Sequence, residues 1–93
     1  MNSWMQRLVD GARKILPEGY GLYLFGSRAA GGGADSDYDL GVDGPVPLPA
    51  GVMTRLEEMG DALPTLAKLD WVDLRRVQAG FREACLRGAV RLG

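Results

Sequence analysis

Phe25-Gly26-Ser27-Arg28 and, ten residues beyond Ser27, Asp37-Tyr38-Asp39-Leu40 decide how this chain is read. Before the first stretch runs Leu22-Tyr23-Leu24-Phe25, apolar and rich in strand formers, so the glycine-serine pair leaves the end of a strand. A second such run begins at Asp37 and continues to Val42. Side chains alternate faces along a strand, so Asp37 and Asp39 point the same way, about 6.6 Å apart. Two like charges that close repel, and a divalent cation removes the repulsion. Gly26 carries no Cβ and lets backbone approach a ligand closely. Successive N–H groups after such a turn form an anion site. Ser27 adds a hydroxyl and Arg28 a positive charge. The pattern points to phosphate chemistry on Mg²⁺, a hard ion that bridges carboxylates and phosphates.

Working outward, Trp4, Met5, Leu8, Val9, Ala12, Ile15 and Leu16 recur at helical spacing, with Asn2 or Ser3 as cap and Pro17 and Gly19 as the stop. A strand is expected over 20–25, a short helix within 27–33, a second strand over 37–42, and a stiff surface linker over 45–49, where three prolines alternate with Val46 and Leu48. Val52, Leu56, Met59 and Leu63 mark a second helix that ends near Pro64. A third strand over 68–74, a last helix over 77–86 and a short edge strand over 89–92 complete the chain. The interleaving predicts an α/β (α+β) domain, a small mixed sheet with helices packed on one face. The face carrying Asp37 and Asp39 is then left half-open as an acidic floor, with Tyr38, Leu40 and Val42 turned toward the helices.

The third strand contains two more aspartates, Asp70 and Asp73. Three apart, they face opposite sides, so at most one shares the acidic floor. Asp73 reads better as a strand-end cap than as a ligand. Trp4 and Trp71 read as core or interface residues rather than stacking platforms.

Composition narrows the chemistry. Ninety-three residues make one domain, and 46% hydrophobic with 25% charged content is ordinary for a globular chain. There is no histidine, which removes His triads, His bases and most zinc sites. The single cysteine, Cys85, lies at helical spacing from Phe81 and reads as a buried core thiol. No apolar run approaches the roughly 20 residues of a membrane span, and no signal peptide is evident at the start, so no membrane association and a cytoplasmic location are expected. The net charge of −1 gives nucleic-acid binding no support. Residues 75–93 nevertheless carry +4 against −5 for the remainder, which reads as a solvated helix face or, less simply, a surface for phosphate or an acidic partner.

Gly26-Ser27, then Ser36-Asp37-Tyr38-Asp39-Leu40, then the strand Lys68-Leu69-Asp70-Trp71-Val72-Asp73-Leu74 together resemble the DNA polymerase β-like nucleotidyltransferase superfamily, and most closely its minimal nucleotidyltransferase (MNT) branch. The resemblance covers nearly the whole chain and implies a single minimal nucleotidyltransferase domain over 1–93. It assigns Gly26 and Ser27 to the nucleotide phosphates, and Arg28 beside them reads as a further phosphate ligand or as a solvated loop residue. It assigns Asp37, Asp39 and Asp70 to catalysis as ligands of two Mg²⁺ ions, with ATP or another nucleoside triphosphate as substrate. It further implies an antitoxin of the MNT/HEPN toxin–antitoxin type, a protein adenylyltransferase that moves AMP from ATP to a hydroxyl on a HEPN-domain partner. The alternative is a binding module that neutralises a HEPN partner by complex formation, with its catalytic site unused.

Overall fold

The helical spacing at the N-terminus forms α1 (Ser3–Ile15) in a computed structural model that describes residues 3–26 and 37–93. Met5, Leu8, Val9 and Ala12 are buried on one side while Gln6, Arg7, Asp10 and Arg13 face water. Arg13 and Lys14 in the last turn complement the negative end of the helix dipole. Then follow β1 (Gly21–Phe25), β2 (Tyr38–Asp43), α2 (Val52–Asp61), β3 (Leu69–Asp73), α3 (Ala79–Arg87) and β4 (Val90–Arg91). The helix expected within 27–33 lies outside the described residues.

The sheet has the order β3-β2-β1-β4. β1 is antiparallel to both β2 and β4, whereas β2 and β3 run parallel. Parallel neighbours need a crossover, and α2 supplies it. Leu8, Leu22, Leu40, Val42 and Leu56 are fully buried where α1 and α2 pack on one face of the sheet. The mixed sheet expected from the sequence is present, with two of the three described helices on this face. The period-2 alternation of β2 sends Leu40 and Val42 into this core and Asp39, Gly41 and Asp43 to the other side. There α3 covers part of the sheet. A Cβ on Gly41 would stand 2.8 Å from Leu74 Cδ1 and 3.3 Å from Phe25 Cε1, so a second, smaller apolar layer forms around the glycine. Leu74 and Cys85 are buried, the latter as expected of a core thiol. Among the described residues no helix is long and apolar enough to cross a membrane.

One expectation needs correction. The proline segment at 45–49 is no plain surface linker. Leu48 is 4% exposed and belongs to the core. Its N–H donates to Asp73 Oδ2 at 2.9 Å, and the Tyr20 hydroxyl donates to the Val46 carbonyl at 2.8 Å. Prolines have no amide hydrogen, so a buried Leu48 N–H between two of them needs an acceptor, and Asp73 is that acceptor.

The arginines of the C-terminal part are mostly exposed, as a solvated face would be, but four of the five also have partners within the chain. Arg82 grips Asp43 with both Nε and Nη2 at 2.8 Å, Arg75 Nε lies 3.6 Å from the same carboxylate, and Arg76 Nε lies 3.2 Å from Asp73. Arg91 stacks over the Tyr23 ring. The fork on Asp43 ties α3 to the end of β2. The hydrogen bond from Arg82, then the Arg82 and Arg75 charges, hold the Asp43 carboxyl below its ordinary value against the opposing effect of burial. A lowered folded-state pKa stabilises the fold above the unfolded value near 3.8, and the contribution is lost as pH falls through the folded value. Denaturation midpoints of the wild type should therefore fall on acidification below about pH 4. Arg82→Gln should flatten that part of the profile; an unchanged profile would show the fork to be inert.

Candidate active site

β1 ends at Phe25, and Gly26 turns the chain with φ 76°, in the left-handed region that glycine adopts without cost. A Cβ at Gly26 would run into Asp39 Oδ2, so the turn is closed directly against that carboxylate. The register explains the contact: Phe25 pairs with Asp39 across the antiparallel ladder. On the other side of β2, Asp39 pairs with Asp70 of parallel β3. Neighbouring strands are about 4.8 Å apart, so the two carboxylates rise side by side from one face.

Asp37 lies just before β2, which starts at Tyr38 rather than at Asp37. Its position is fixed by the next residue, whose N–H donates to the Lys68 carbonyl at 3.0 Å. Lys68 Nζ approaches Asp37 Oδ2 at 3.8 Å, with side chains 71% and 45% exposed, an ion pair too solvated to hold firmly.

The Asp39 carboxyl is raised above its ordinary value, first by burial, then by the charge of Asp70, then by that of Asp37. Three carboxylates thus repel across one half-buried platform beside a glycine turn. Among the described residues no three acidic groups already converge as a cage for an ion. The donor set nonetheless fits a hard cation: all oxygen, excess negative charge and, among the described residues, an exposed lysine in opposition.

Of the residues singled out from sequence, Gly26, Asp39 and Asp70 meet at one corner and Asp37 stands at its rim. Ser27 and Arg28 lie outside the described residues. Asp73 is on the opposite face, 8% exposed, accepting from the Leu48 and Arg75 N–H groups at 2.9 and 3.0 Å. Trp4 meets Tyr38 edge-on at 5.1 Å, and Trp71 packs against the main core.

Sequence reasoning missed a cavity of about 330 Å³ beside the corner, lined by Phe25, Gly26, Phe81, Ala84, Cys85 and Gly88. Burial raises the Cys85 thiol, and the Asp39 charge raises it further, which sets this wall of α3 within electrostatic reach of the acids. The signal was present: Phe81, Ala84, Cys85 and Gly88 follow the i, i+3, i+4, i+7 pattern of one helix face.

No protein-family model and no curated protein matches the sequence. Solved structures do match the fold. A chain in a toxin–antitoxin crystal structure with AMP-PNP superposes with TM-score 0.74 at 24% identity, covering 96% of this chain and 72% of that one. Chains in two variants of the toxin–antitoxin MntA-HpeT superpose with TM-score 0.75, at 21% identity in a variant with two aspartates changed to glutamate and 24% in one with a tyrosine changed to alanine. Both cover 100% of this chain, and 73% and 72% of their own. The likeness establishes the fold.

Proposed function

We propose that this chain is a Mg²⁺-dependent nucleotidyltransferase that moves AMP from ATP to a hydroxyl on a HEPN-type toxin partner, and so acts as its antitoxin. The reading rests above all on Asp39, a carboxylate crowded by Asp70 and Asp37 and backed against the Gly26 turn. Such a cluster is unfavourable in a bare protein and favourable around a cation. Support also comes from the neighbours, one with AMP-PNP and others toxin–antitoxin assemblies. The two aspartates changed to glutamate in one MntA-HpeT variant are two positions apart, the spacing of Asp37 and Asp39.

In this reading Asp37, Asp39 and Asp70 hold Mg²⁺, which supplies charge neutralisation at the phosphates and at the acceptor oxygen. Gly26 leaves room for the triphosphate, and Ser27 and Arg28 bind its β- and γ-phosphates. The acceptor hydroxyl oxygen bonds to the α-phosphorus as the bond to the bridging oxygen breaks. Pyrophosphate leaves, and the hydroxyl proton passes to water or a carboxylate. A macromolecular acceptor suits so small a domain, because it brings its own binding area, whereas a small molecule needs an enclosing pocket. The cytoplasm, which supplies ATP, is the proposed place of action.

Incubation with α-labelled ATP, Mg²⁺ and the partner tests the reading. Label should appear on the partner and disappear with EDTA. Inhibition of the partner without label would favour the binding-module alternative.

A further inference from the structure

The cavity between the β1 end and α3 has a chemistry of its own. Its described lining is Phe25, Gly26, Phe81, Ala84, Cys85 and Gly88, with no charged side chain and no hydrogen-bonding side chain beyond the thiol. Phe81 is 52% exposed and stands in the lining of this cavity. The small residues Ala84 and Gly88 leave the helix surface low one and two turns beyond it, and Gly88 has nothing within 4 Å of where its Cβ would be. The result is a shallow slot with one aromatic wall. Its volume, about 330 Å³, lies at the lower end of the range for small-molecule sites. It shares Gly26 with the acidic corner, so a ligand held by its phosphates there would extend into the slot.

We infer that this slot receives the base of the nucleotide, with Phe81 as its stacking surface. The inference rests on the nucleotidyltransferase reading and adds to it the place and manner of base binding. An apolar slot with an aromatic edge takes a flat, weakly polar ring and excludes water from its faces. The described walls present ring-stacking area rather than hydrogen-bonding groups, so affinity comes from contact area. Exposure of Phe81 in the free protein follows directly: its partner is the ligand.

Binding of ATP and of inorganic triphosphate, each with Mg²⁺, measured by calorimetry on wild type, Phe81→Ala, Phe81→Tyr and Ala84→Trp, tests the inference without reference to turnover. Phe81→Ala should weaken ATP about tenfold and leave triphosphate unchanged, since base–aromatic stacking has that size. Phe81→Tyr keeps a ring and should bind ATP nearly as the wild type does. Ala84→Trp fills the slot and should also weaken ATP selectively. Both positions are exposed, and circular dichroism verifies that the variants are folded. ATP affinity unchanged in Phe81→Ala and Ala84→Trp, with triphosphate still bound, would overturn base binding here and leave the transferase reading standing. A wild type that binds neither ATP nor triphosphate would overturn both.

Discussion

Asp39→Asn should abolish the proposed AMP transfer, with a loss of about a thousandfold or more, and at the same time make the metal-free protein more stable at neutral pH. The two effects have one origin. The Asp39 carboxyl is raised by burial and by Asp70 and Asp37, so the folded protein binds its proton more tightly than the unfolded chain does. Such a group destabilises the fold as pH rises from the unfolded value near 3.8 through the higher folded value, and the cost persists at pH 7. Asparagine removes the charge and the cost. Urea denaturation in EDTA should place the midpoint of Asp39→Asn above that of wild type at pH 7, with the gap closing toward pH 3.5. Added Mg²⁺ and ATP should raise the wild-type midpoint by mass action and leave the variant where it was. Equal midpoints in EDTA, or undiminished transfer, would remove Asp39 from the centre of the site.

Asp70→Asn and Asp73→Asn should separate cleanly into a loss of rate and a loss of stability. Asp70 is paired with Asp39 on the open face, and its replacement breaks the proposed cation clamp, so transfer should fall by about two to three orders of magnitude with the fold intact. Asp73, only three residues on, is on the buried face. It accepts from the Leu48 and Arg75 amides and pairs with Arg76. An amide in its place keeps one acceptor oxygen and loses the charge, which should cost about 2 kcal/mol of stability. The rate per folded molecule should be near wild type. Denaturation curves and initial rates on both variants check the pair; a large rate loss confined to Asp73→Asn would reverse the assignment.

The alternation in Tyr38-Asp39-Leu40 and the phase difference between Asp70 and Asp73 were readable because strand geometry leaves a side chain only two choices of face. The helix of residues 3–15 was readable for the same kind of reason, a 3.6-residue period over four turns. Less was legible where partners come from far along the chain. Arg82 and Asp43 are 39 positions apart, and nothing local says that their charges meet. The prolines around Leu48 suggested a solvated linker, yet Asp73, 25 positions away, gives its amide a buried partner. The slot beside Gly26 depends on α3 crossing the sheet face next to β1, a tertiary fact that the Phe81–Gly88 spacing hints at but cannot aim. Gly26 itself was chosen for ligand access; its closeness to Asp39 gives a second reason that only the register reveals.

Intact-mass spectrometry of the partner toxin, produced together with the wild-type chain or with Asp39→Asn, tests the central claim most directly. The account predicts one or more additions of about 329 Da, the mass of a transferred AMP, on a partner tyrosine with wild type and none with Asp39→Asn. A partner neutralised by both forms with its mass unchanged would contradict it.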